Sequence, residues 1–356
     1  MRLSNLIRPA GRTGLDRSAT DMSHHAGALC APPRVLFVHN RSTKFVQIDL
    51  ALLREECLVT EWHKRVGNVA SLARAIAASD LVFGWFASKH TLLPILMASW
   101  MRRPTVLVVG GYDTASLPQI GYGNQRGGPR RWITRWIMRH ADQLITPSFF
   151  ARDEAIRNVG VDARRVRVVH LGLQAPPRPH KDKEKLVITV GDVMRDTLQR
   201  KGLIPFVRAA ALVPDVPFVL IGEWRDRSID LLREIAPSNV SFTGHVSLAE
   251  LYTYMTRARV YVQASQHEAF GLAAAEAMLH ECVPVVTRAG ALPEVIGEAG
   301  LYTESTEPEP LAATIYQALD RVDLGKLARE RIVRKFPLSL RRQGLEEVIE
   351  SVLKEF

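Results

Sequence analysis

Residues 260–287 have the sequence VYVQASQHEAFGLAAAEAMLHECVPVVT, in which two apolar runs flank a segment rich in alanine. Val260–Ser265 and Val283–Thr287 are predicted to be buried strands, because short apolar runs between polar residues are typical of parallel sheets. The segment between them is predicted to be a helix. A strand, a helix and a strand in this order form a β-α-β unit, whose ligands bind at the carboxyl ends of the strands.

Two carboxylates, Glu268 and Glu276, bracket the predicted start of this helix and lie eight residues apart. Small and apolar residues between them leave the first-turn N–H groups uncovered, and these groups favour an anion such as a phosphate. Eight helical residues advance about 12 Å, a reach similar to the span from the hexose to the ribose of a nucleotide sugar. Carboxylates suit such a ligand because their oxygens accept hydrogen bonds from vicinal hydroxyls. The alternative is an ordinary amphipathic helix with a solvated glutamate at each end.

A turn-rich loop, Gly290–Ile296, follows the second strand. The Glu-x7-Glu pair, the Ala277-Met278 helix, the Pro284–Val286 strand and the Gly-x-x-Pro-Glu loop together resemble the donor-binding half of family four retaining glycosyltransferases. The resemblance implies the GT-B fold, an α/β architecture in which two Rossmann-like, doubly wound domains face a cleft and a C-terminal helix crosses back to the first domain. It also implies that five residues around the helix start contact the donor: His267, Ala269, Phe270, Gly271 and Leu272.

Length and composition agree with two domains, because 356 residues with 47% hydrophobic content exceed the size at which a single core usually stops growing, about 250 to 300 residues. Alternating strand and helix patterns predict doubly wound α/β domains. Helices are predicted over Leu50–Glu56 and Ala151–Val159, among others, and Thr91–Met101 is predicted to be a buried helix of the first domain. The predicted divisions are a flexible tail at 1–33, an acceptor-side domain at 34–175, a Pro-rich linker at 176–185, a nucleotide-sugar-binding domain at 186–336 and a crossover helix at 337–356.

The sequence also bears on the compartment. It contains no run of about 20 apolar residues, so no membrane-spanning helix is predicted. Three scattered cysteines, without metal-ligand spacing, favour a reducing environment over a disulfide framework. We therefore expect a cytoplasmic protein that can associate peripherally with the inner face of the membrane.

The resemblance implies a cationic site for the donor diphosphate. The family usually has a Gly-Arg after the first strand of the second domain and a Lys-Gly a few residues later. Here Lys201-Gly202 is present, but Gly191 is followed by Asp192. Arg195 or Arg200 is expected to replace the missing arginine, and Arg200 is favoured because it adjoins Lys201. The alternative is that these are solvated loop charges.

The nucleobase pocket is implied, by the same resemblance, to lie near Gly244 and His245 and the loop around Gly222–Trp224. His245 has the alternative of capping the following helix.

The first domain departs from the family pattern at two loops. Where many relatives have a Gly-rich loop, this chain has polar and cationic residues that are expected to hold an anionic acceptor: His39, Asn40, Arg41 and Lys44. Where relatives often place a histidine, the chain has Tyr112 and Asp113. Asp113 is a candidate for binding sugar hydroxyls or orienting the acceptor hydroxyl, and turn or helix capping is an equally good interpretation.

A basic amphipathic segment, Arg131–Arg139, has arginines every four residues with tryptophan and isoleucine on the adjacent face. With a net charge of +10 and a pI near 9.8, it predicts docking on anionic lipid or a lipid-linked acceptor. The alternative is that the apolar face packs on the first domain and the arginines are solvated. Nucleic acid is not the expected partner, because zinc-ligand, helix-turn-helix and RNA-binding motifs are absent from the sequence.

These features predict a retaining enzyme that moves a hexosyl unit from a nucleotide diphosphate sugar to a hydroxyl of a glycan or lipid-linked acceptor. The expected catalytic group is Glu268, Lys201, Arg200 and Asp113. By resemblance, Glu268 holds sugar hydroxyls, Glu276 holds the ribose, and neither a metal nor a cofactor is needed. Two alternatives stay open: a nucleotide-sugar epimerase on the same fold, and a non-catalytic nucleotide-sugar-binding protein.

Overall fold

The computed structural model describes residues 31–63, 68–178 and 183–356. The predicted tail at 1–33 therefore lies almost entirely outside the described residues, as do residues 179–182 of the predicted linker.

The first domain is built on a six-stranded parallel sheet with the strand order β2-β1-β3-β4-β5-β6. Its strands are β1 (Arg34–His39), β2 (Leu58–His63), β3 (Leu81–Trp85), β4 (Thr105–Val108), β5 (Gln143–Thr146) and β6 (Val166–Val168). The helices between them are α1 (Lys44–Glu56), α2 (Val69–Ala77), α3 (Lys89–Trp100), α4 (Gly128–His140) and α5 (Phe149–Glu154), the last continued by a π-helical turn at Ala155–Val159. The strand order reverses beside β1, and this reversal leaves a crevice at the carboxyl edge of the sheet.

The second domain repeats this architecture, with the strand order β12-β11-β10-β7-β8-β9. Its strands are β7 (Glu184–Val190), β8 (Phe218–Ile221), β9 (Val240–Gly244), β10 (Ala258–Gln263), β11 (Val283–Val286) and β12 (Leu301–Tyr302). Its helices are α6 (Arg195–Arg200), α7 (Leu203–Ala210), α8 (Ser228–Ile235), α9 (Leu248–Arg257), α10 (Leu272–Leu279), α11 (Leu292–Ile296), α12 (Pro308–Asp320) and α13 (Val322–Lys335).

The last helix, α14 (Leu338–Glu355), returns to the first domain as predicted. Arg341 on α14 is 1% exposed and pairs through two nitrogens with the fully buried Asp49 on α1, at 2.9 Å from Nε and 2.6 Å from Nη2. Trp85 Nε1 donates to the same carboxylate at 3.0 Å. A bidentate, fully partnered ion pair of this kind fixes the register of α14 on the first domain.

Several predicted element boundaries differ from the structure. Helix α1 begins at Lys44, six residues before the predicted start, and the edge strand β2 was not predicted. Most of the β2 side chains are at least partly exposed, because the strand pairs only with β1, so they lack the apolar run that marks a buried strand. Strand β7 begins at Glu184, inside the predicted linker.

Helices α3 and α4 differ from the sequence predictions in which side chains they bury. The segment Thr91–Met101 was expected to be buried, but the Trp100 side chain is 84% exposed. In the Arg131–Arg139 segment, Arg135 and Arg139 donate to backbone carbonyls of the segment after α5, whereas Trp132 is 73% exposed. Two of the three arginines are therefore tied to the protein by hydrogen bonds, although Arg139 stays exposed, and an indole faces outward.

Candidate active site

The predicted strand-helix-strand unit is present, and its turn is conformationally demanding. Gly271 immediately precedes α10 with φ +92°, and a Cβ there would lie 2.8 Å from Leu292 Cδ2. A side chain at this position is disfavoured both by the backbone angle and by the crowding. The first turn of α10 is thus left without a covering side chain at its entrance.

Glu268 lies in the loop between β10 and α10, with its side chain 14% exposed. Ser265 Oγ donates to Glu268 Oε1 at 2.9 Å, and Lys201 Nζ lies 4.0 Å from the same oxygen. Burial alone would raise the pKa of Glu268, but the Lys201 and Arg200 cations and the hydrogen bonds outweigh it and lower the pKa below its ordinary value. Glu268 is therefore an ionised carboxylate beside two cations.

Close backbone packing sets the positions of these cations. A Cβ on Gly202, which has φ +67°, would overlap the Ala264 carbonyl oxygen at 2.1 Å, so the turn after α6 lies directly against the end of β10. Gln266 N donates to Arg200 O at 2.8 Å across the same contact. A Cβ on Gly191 would lie 2.9 Å from Lys201 Cδ, because the lysine stem passes over that glycine.

The two arginine candidates lie at opposite ends of α6. Arg200 contributes to the electrostatic environment of Glu268. Arg195 is exposed, and its backbone N–H donates to Asp226 Oδ2 at 3.0 Å. Of the two, the structure brings Arg200 to the Glu268 carboxylate.

Tyr122 is a site residue that the sequence analysis missed. It lies in the loop between β4 and α4, and the Arg200 guanidinium carbon is 4.8 Å from its ring centroid. Its ring also lies 5.3 Å from that of His267. Burial raises the pKa of Tyr122 well above its ordinary value, so the phenol stays protonated at neutral pH. The available sequence signal is Gly123, which follows Tyr122. Its φ is +99° and an added Cβ would overlap Ala115 O at 1.9 Å, so the tight turn beside the aromatic ring favours glycine.

Glu276, eight residues after Glu268, is 8% exposed on α10. Its carboxylate binds the Lys44 ammonium group, which also contacts Tyr252 Oη at 2.6 Å. Burial raises the pKa of Glu276, and the Lys44 charge opposes that effect. Lys44 was predicted to lie on the acceptor side, but the structure places its side chain on the carboxylate expected to hold the ribose.

The other first-domain candidates are spread over the cleft side of the sheet. His39 is 5% exposed, with Nδ1 at 3.1 Å from Arg41 O and Nε2 at 3.4 Å from Glu61 Oε2. Asn40 and Arg41 are exposed. None of these three residues forms a hydrogen bond or an ion pair with Glu268 or Lys201.

Asp113 is 3% exposed, and both of its carboxylate oxygens accept backbone hydrogen bonds, from Ala87 N at 3.0 Å and Gly110 N at 2.9 Å. Burial raises its pKa to about 6. These bonds tie the loop after β3 to the loop after β4, as the capping interpretation requires. The adjacent Tyr112 is 40% exposed, and its ring lies 5.1 Å from that of Tyr122.

Three residues that were predicted to contact the donor form contacts between the domains or lie in the hydrophobic core. His267 Nε2 lies 3.1 Å from both Glu154 oxygens on α5, and Ser148 Oγ donates to Ala269 O at 2.6 Å. The Phe270 ring is 3% exposed and packs edge-on against Phe336. These side chains set the position of the Glu268 loop against the first domain, so any direct donor contact at Ala269 and Phe270 falls to the backbone.

Glu294, in the Gly-x-x-Pro-Glu loop, also contacts the first domain. Its carboxylate accepts from Phe149 N at 3.1 Å and Phe150 N at 3.4 Å, at the start of α5, and lies 2.6 Å from His170 Nε2. Burial works against ionisation, but these partners lower the pKa of Glu294 below its ordinary value. The loop therefore holds the N-terminus of a first-domain helix.

The predicted base pocket lies at the carboxyl ends of β7, β8 and β9. A Cβ on Gly222 would overlap Gly191 O at 2.0 Å, and the Trp224 ring lies 3.6 Å from the Cβ position of Gly244. His245 is exposed, and Ser247 caps α9 instead by accepting from Glu250 N at 3.2 Å. The helix-capping alternative for His245 is therefore wrong.

A metal-binding cluster and a membrane-spanning helix are both absent from the described ranges. In the described ranges, no group of three or more His, Cys, Asp or Glu side chains is arranged to hold a metal ion. The helices of those ranges include none with the length and apolar character needed to cross a bilayer.

Two family models match the chain in tandem. The Glycosyltransferase Family 4 model matches residues 57–175, in the first domain. The Glycosyl transferases group 1 model matches residues 184–321, in the second domain and including both glutamates of the Glu-x7-Glu pair. Both halves of the chain therefore match models of glycosyltransferase domains, and its architecture is the GT-B fold.

Named relatives and solved structures agree with this assignment. The glycogen synthase of Mycobacterium tuberculosis is 25% identical over 244 residues, which span 62% of this chain and 58% of that protein. The O-antigen chain mannosyltransferase B of Escherichia coli is 28% identical over 211 residues, 54% of this chain and 55% of that protein. The chain thus spans little more than half the length of these two relatives. The crystal structure of Anabaena HepE in complex with UDP and glucose has a TM-score of 0.72 at 17% identity, and covers 90% of this chain and 100% of that one.

Proposed function

We propose that this protein is a retaining glycosyltransferase that moves a hexosyl unit from a nucleotide diphosphate sugar to a hydroxyl acceptor. The observation that carries the proposal is the grouping of an ionised Glu268 with Lys201 and Arg200 at the start of α10. Two cations and a helix N-terminus favour a diphosphate, and the carboxylates favour the hydroxyls on either side of it. The UDP and glucose bound to the Anabaena protein are a ligand pair of this chemistry.

The reaction would depend on positioning and electrostatics. Lys201, Arg200 and the first N–H groups of α10 stabilise the negative charge that develops on the diphosphate as the bond from the anomeric carbon to the phosphate oxygen breaks. The acceptor oxygen forms the new bond on the same face of the sugar, so the anomeric configuration is retained. The acceptor proton passes to the departing phosphate oxygen. Glu268 holds sugar hydroxyls and Glu276 the ribose.

The donor is identified by thermal shift with uridine, guanosine and adenosine diphosphate sugars, since stabilisation grows with ligand concentration over its dissociation constant. Turnover is then measured for wild type, Glu268→Gln and the control Glu330→Gln, which makes the same change at an exposed position on α13. We expect Glu268→Gln to lose at least a hundredfold in turnover and the control to match wild type. Binding of every donor without hydrolysis or transfer would leave the non-catalytic alternative as the explanation.

The acceptor is proposed to be a hydroxyl of a glycan or of a lipid-linked glycan. Exposed Asn40 and Arg41, at the carboxyl end of β1, provide polar and cationic groups for an anionic acceptor. Incubation with nucleotide sugar alone separates this activity from epimerisation, because an epimerase changes the sugar without any acceptor. Nuclear magnetic resonance of the linkage formed reports retention directly, and an inverted linkage would contradict the proposed mechanism.

Peripheral association with an anionic membrane surface is also proposed, because the chain has a net charge of +10 and a lipid-linked acceptor would be presented there. The residues of the Arg131–Arg139 segment that meet the membrane are then those that the structure leaves exposed.

A further inference from the structure

An exposed apolar stripe runs along two neighbouring helices of the first domain. Four large side chains of α3 and α4 are exposed: Leu93 (38%), Leu96 (47%), Trp100 (84%) and Trp132 (73%). The three on α3 are spaced by three and four residues, so they share one helix face. A groove of about 410 Å³ between the helices is lined by Leu92, Trp132, Ile133 and Trp136, together with Arg135, Arg139 and His140.

The inner faces of the same helices account for their packing. Ile95 on α3 and Ile137 and Met138 on α4 are at most 1% exposed in a common core cluster. The exposed side chains are therefore not needed to hold the helices on the sheet. Exposing large indole and leucine side chains beside an apolar groove is costly in water, and such surfaces commonly mark binding sites.

The charge on α3 and α4 is of one sign. The sequences of the two helices contain no aspartate or glutamate. Exposed cations lie at the start of α3 (Lys89), just after its end (Arg102) and in the first turn of α4 (Arg130). A second copy of the chain would bring a surface of the same charge, whereas an anionic bilayer offers both a complementary charge and an apolar interior.

We propose that the stripe Leu93–Leu96–Trp100–Trp132 is the surface that docks on an anionic lipid bilayer, with the two indoles at the level of the headgroups. Tryptophan suits this depth because its ring is apolar while its N–H remains near water. The three cations add attraction to acidic lipid headgroups. The stripe supplies the membrane-contacting residues for the membrane association proposed above. Its biological purpose rests on the proposed function, but its binding to lipid does not.

Vesicle flotation of the full chain tests the apolar part of the surface. The probes are vesicles of phosphatidylcholine alone and of phosphatidylcholine with phosphatidylglycerol. We expect wild type to bind only the anionic vesicles, and the double variant Trp100→Ser/Trp132→Ser to bind about tenfold or more weakly. The control Tyr316→Ser removes an exposed aromatic side chain on α12 of the second domain and should bind like wild type.

A charge-matched pair tests the cationic part. Arg102→Glu/Arg130→Glu should abolish flotation, whereas Arg208→Glu/Lys326→Glu, the same change at exposed positions of the second domain, should retain most of it. Equal loss in both pairs would mean attraction by net charge alone and would overturn the proposal. Undiminished binding by the tryptophan double variant would also overturn it.

Two further outcomes are distinguishable. If the tryptophan substitutions convert a dimer to a monomer in sedimentation and leave vesicle binding unchanged, the stripe is a protein interface and the membrane assignment is wrong. Flotation does not require turnover, so a protein that binds vesicles through this stripe but transfers no sugar would retain the docking surface and disprove only the proposed enzymatic function.

Discussion

The Arg200 guanidinium carbon lies 4.8 Å from the centre of the Tyr122 ring, and the two residues belong to different domains. Tyr122 is contributed by the loop between β4 and α4, and Arg200 by the end of α6. The contact places an aromatic face beneath the cation that we propose in place of the family arginine. It also ties a loop of the first domain to the charge proposed to bind the diphosphate.

Replacing Tyr122 by leucine is expected to raise the KM for the donor about two- to fivefold, because a cation over an aromatic ring contributes about 0.5 to 1 kcal/mol at partly exposed sites. The Phe variant keeps the ring and should keep a donor KM close to that of wild type. Steady-state kinetics at saturating acceptor gives the comparison. Equal loss in Tyr122→Leu and Tyr122→Phe would assign the effect to the phenol hydroxyl, contrary to the stacking argument.

The contact between Lys44 and Glu276 predicts a pH dependence of donor binding. Burial raises the pKa of Glu276 and Lys44 limits the rise, so removing the ammonium group should raise that pKa further. A protonated carboxyl is a weaker acceptor for ribose hydroxyls. As the pH falls, Lys44→Met should therefore lose donor affinity at a higher pH than wild type does.

Calorimetric titration of the donor between about pH 5 and pH 8 measures this midpoint separately from absolute affinity. Lys44→Arg retains the charge and is the matched control, with a midpoint close to that of wild type. Superimposable profiles for wild type and Lys44→Met would show that the ammonium group does not control the ionisation of Glu276.

Sequence patterns identified the parts of the site that are local. The strand-helix-strand unit around Glu268 and the Lys201-Gly202 turn were predictable, because each depends on a few consecutive residues and on backbone geometry. Lys44 with Glu276 and His267 with Glu154 were not, since these partners lie more than a hundred residues apart and no periodicity relates them. Their pairing follows from how two separately folded sheets meet.

The basic segment on α4 shows a second limit. Helical spacing correctly grouped its arginines on one face and its indoles beside them, but spacing does not say which face meets the domain. That depends on acceptors elsewhere, here the Asn158 and Val159 carbonyls, which receive the Arg135 and Arg139 guanidinium groups. The outward direction of Trp132 is a consequence of those distant carbonyls.

Glu294 predicts a pH-dependent contribution to stability. Its pKa is lowered in the folded state, so the stabilisation is complete above the unfolded pKa of about 4.3 and is lost as the pH falls through the lower folded value. Glu294→Gln should lower the free energy of unfolding by about 1 to 3 kcal/mol at pH 7, because the helix N–H groups and His170 lose a charged partner.

Urea unfolding at pH 7 and at lower pH tests the sign. The difference between wild type and Glu294→Gln should shrink only below about pH 4.5. Glu298→Gln, at an exposed position four residues on, is the control and should match wild type throughout. A difference that grows on acidification would contradict the lowered pKa.

The buried pair of Asp49 and Arg341 makes the strongest prediction for stability. Arg341→Met leaves the Asp49 carboxylate buried without its bidentate partner, and removing one member of a buried ion pair usually costs about 3 to 5 kcal/mol. The neighbouring Arg342, whose side chain is 38% exposed, pairs with Glu55 at the surface. Arg342→Met should cost no more than about 1 kcal/mol, since exposed ion pairs contribute little.

The free energy of unfolding in urea distinguishes the two positions, and a double variant identifies the cause. Asp49→Leu/Arg341→Met removes both charges and should be less destabilised than Arg341→Met alone, because the large cost arises from the unpaired carboxylate. If the double variant is at least as unstable as the single one, the contribution of Arg341 lies in the packing of its stem and in its bond to the Val169 carbonyl. A similar loss in Arg342→Met would remove the distinction between buried and exposed pairs on which this prediction rests.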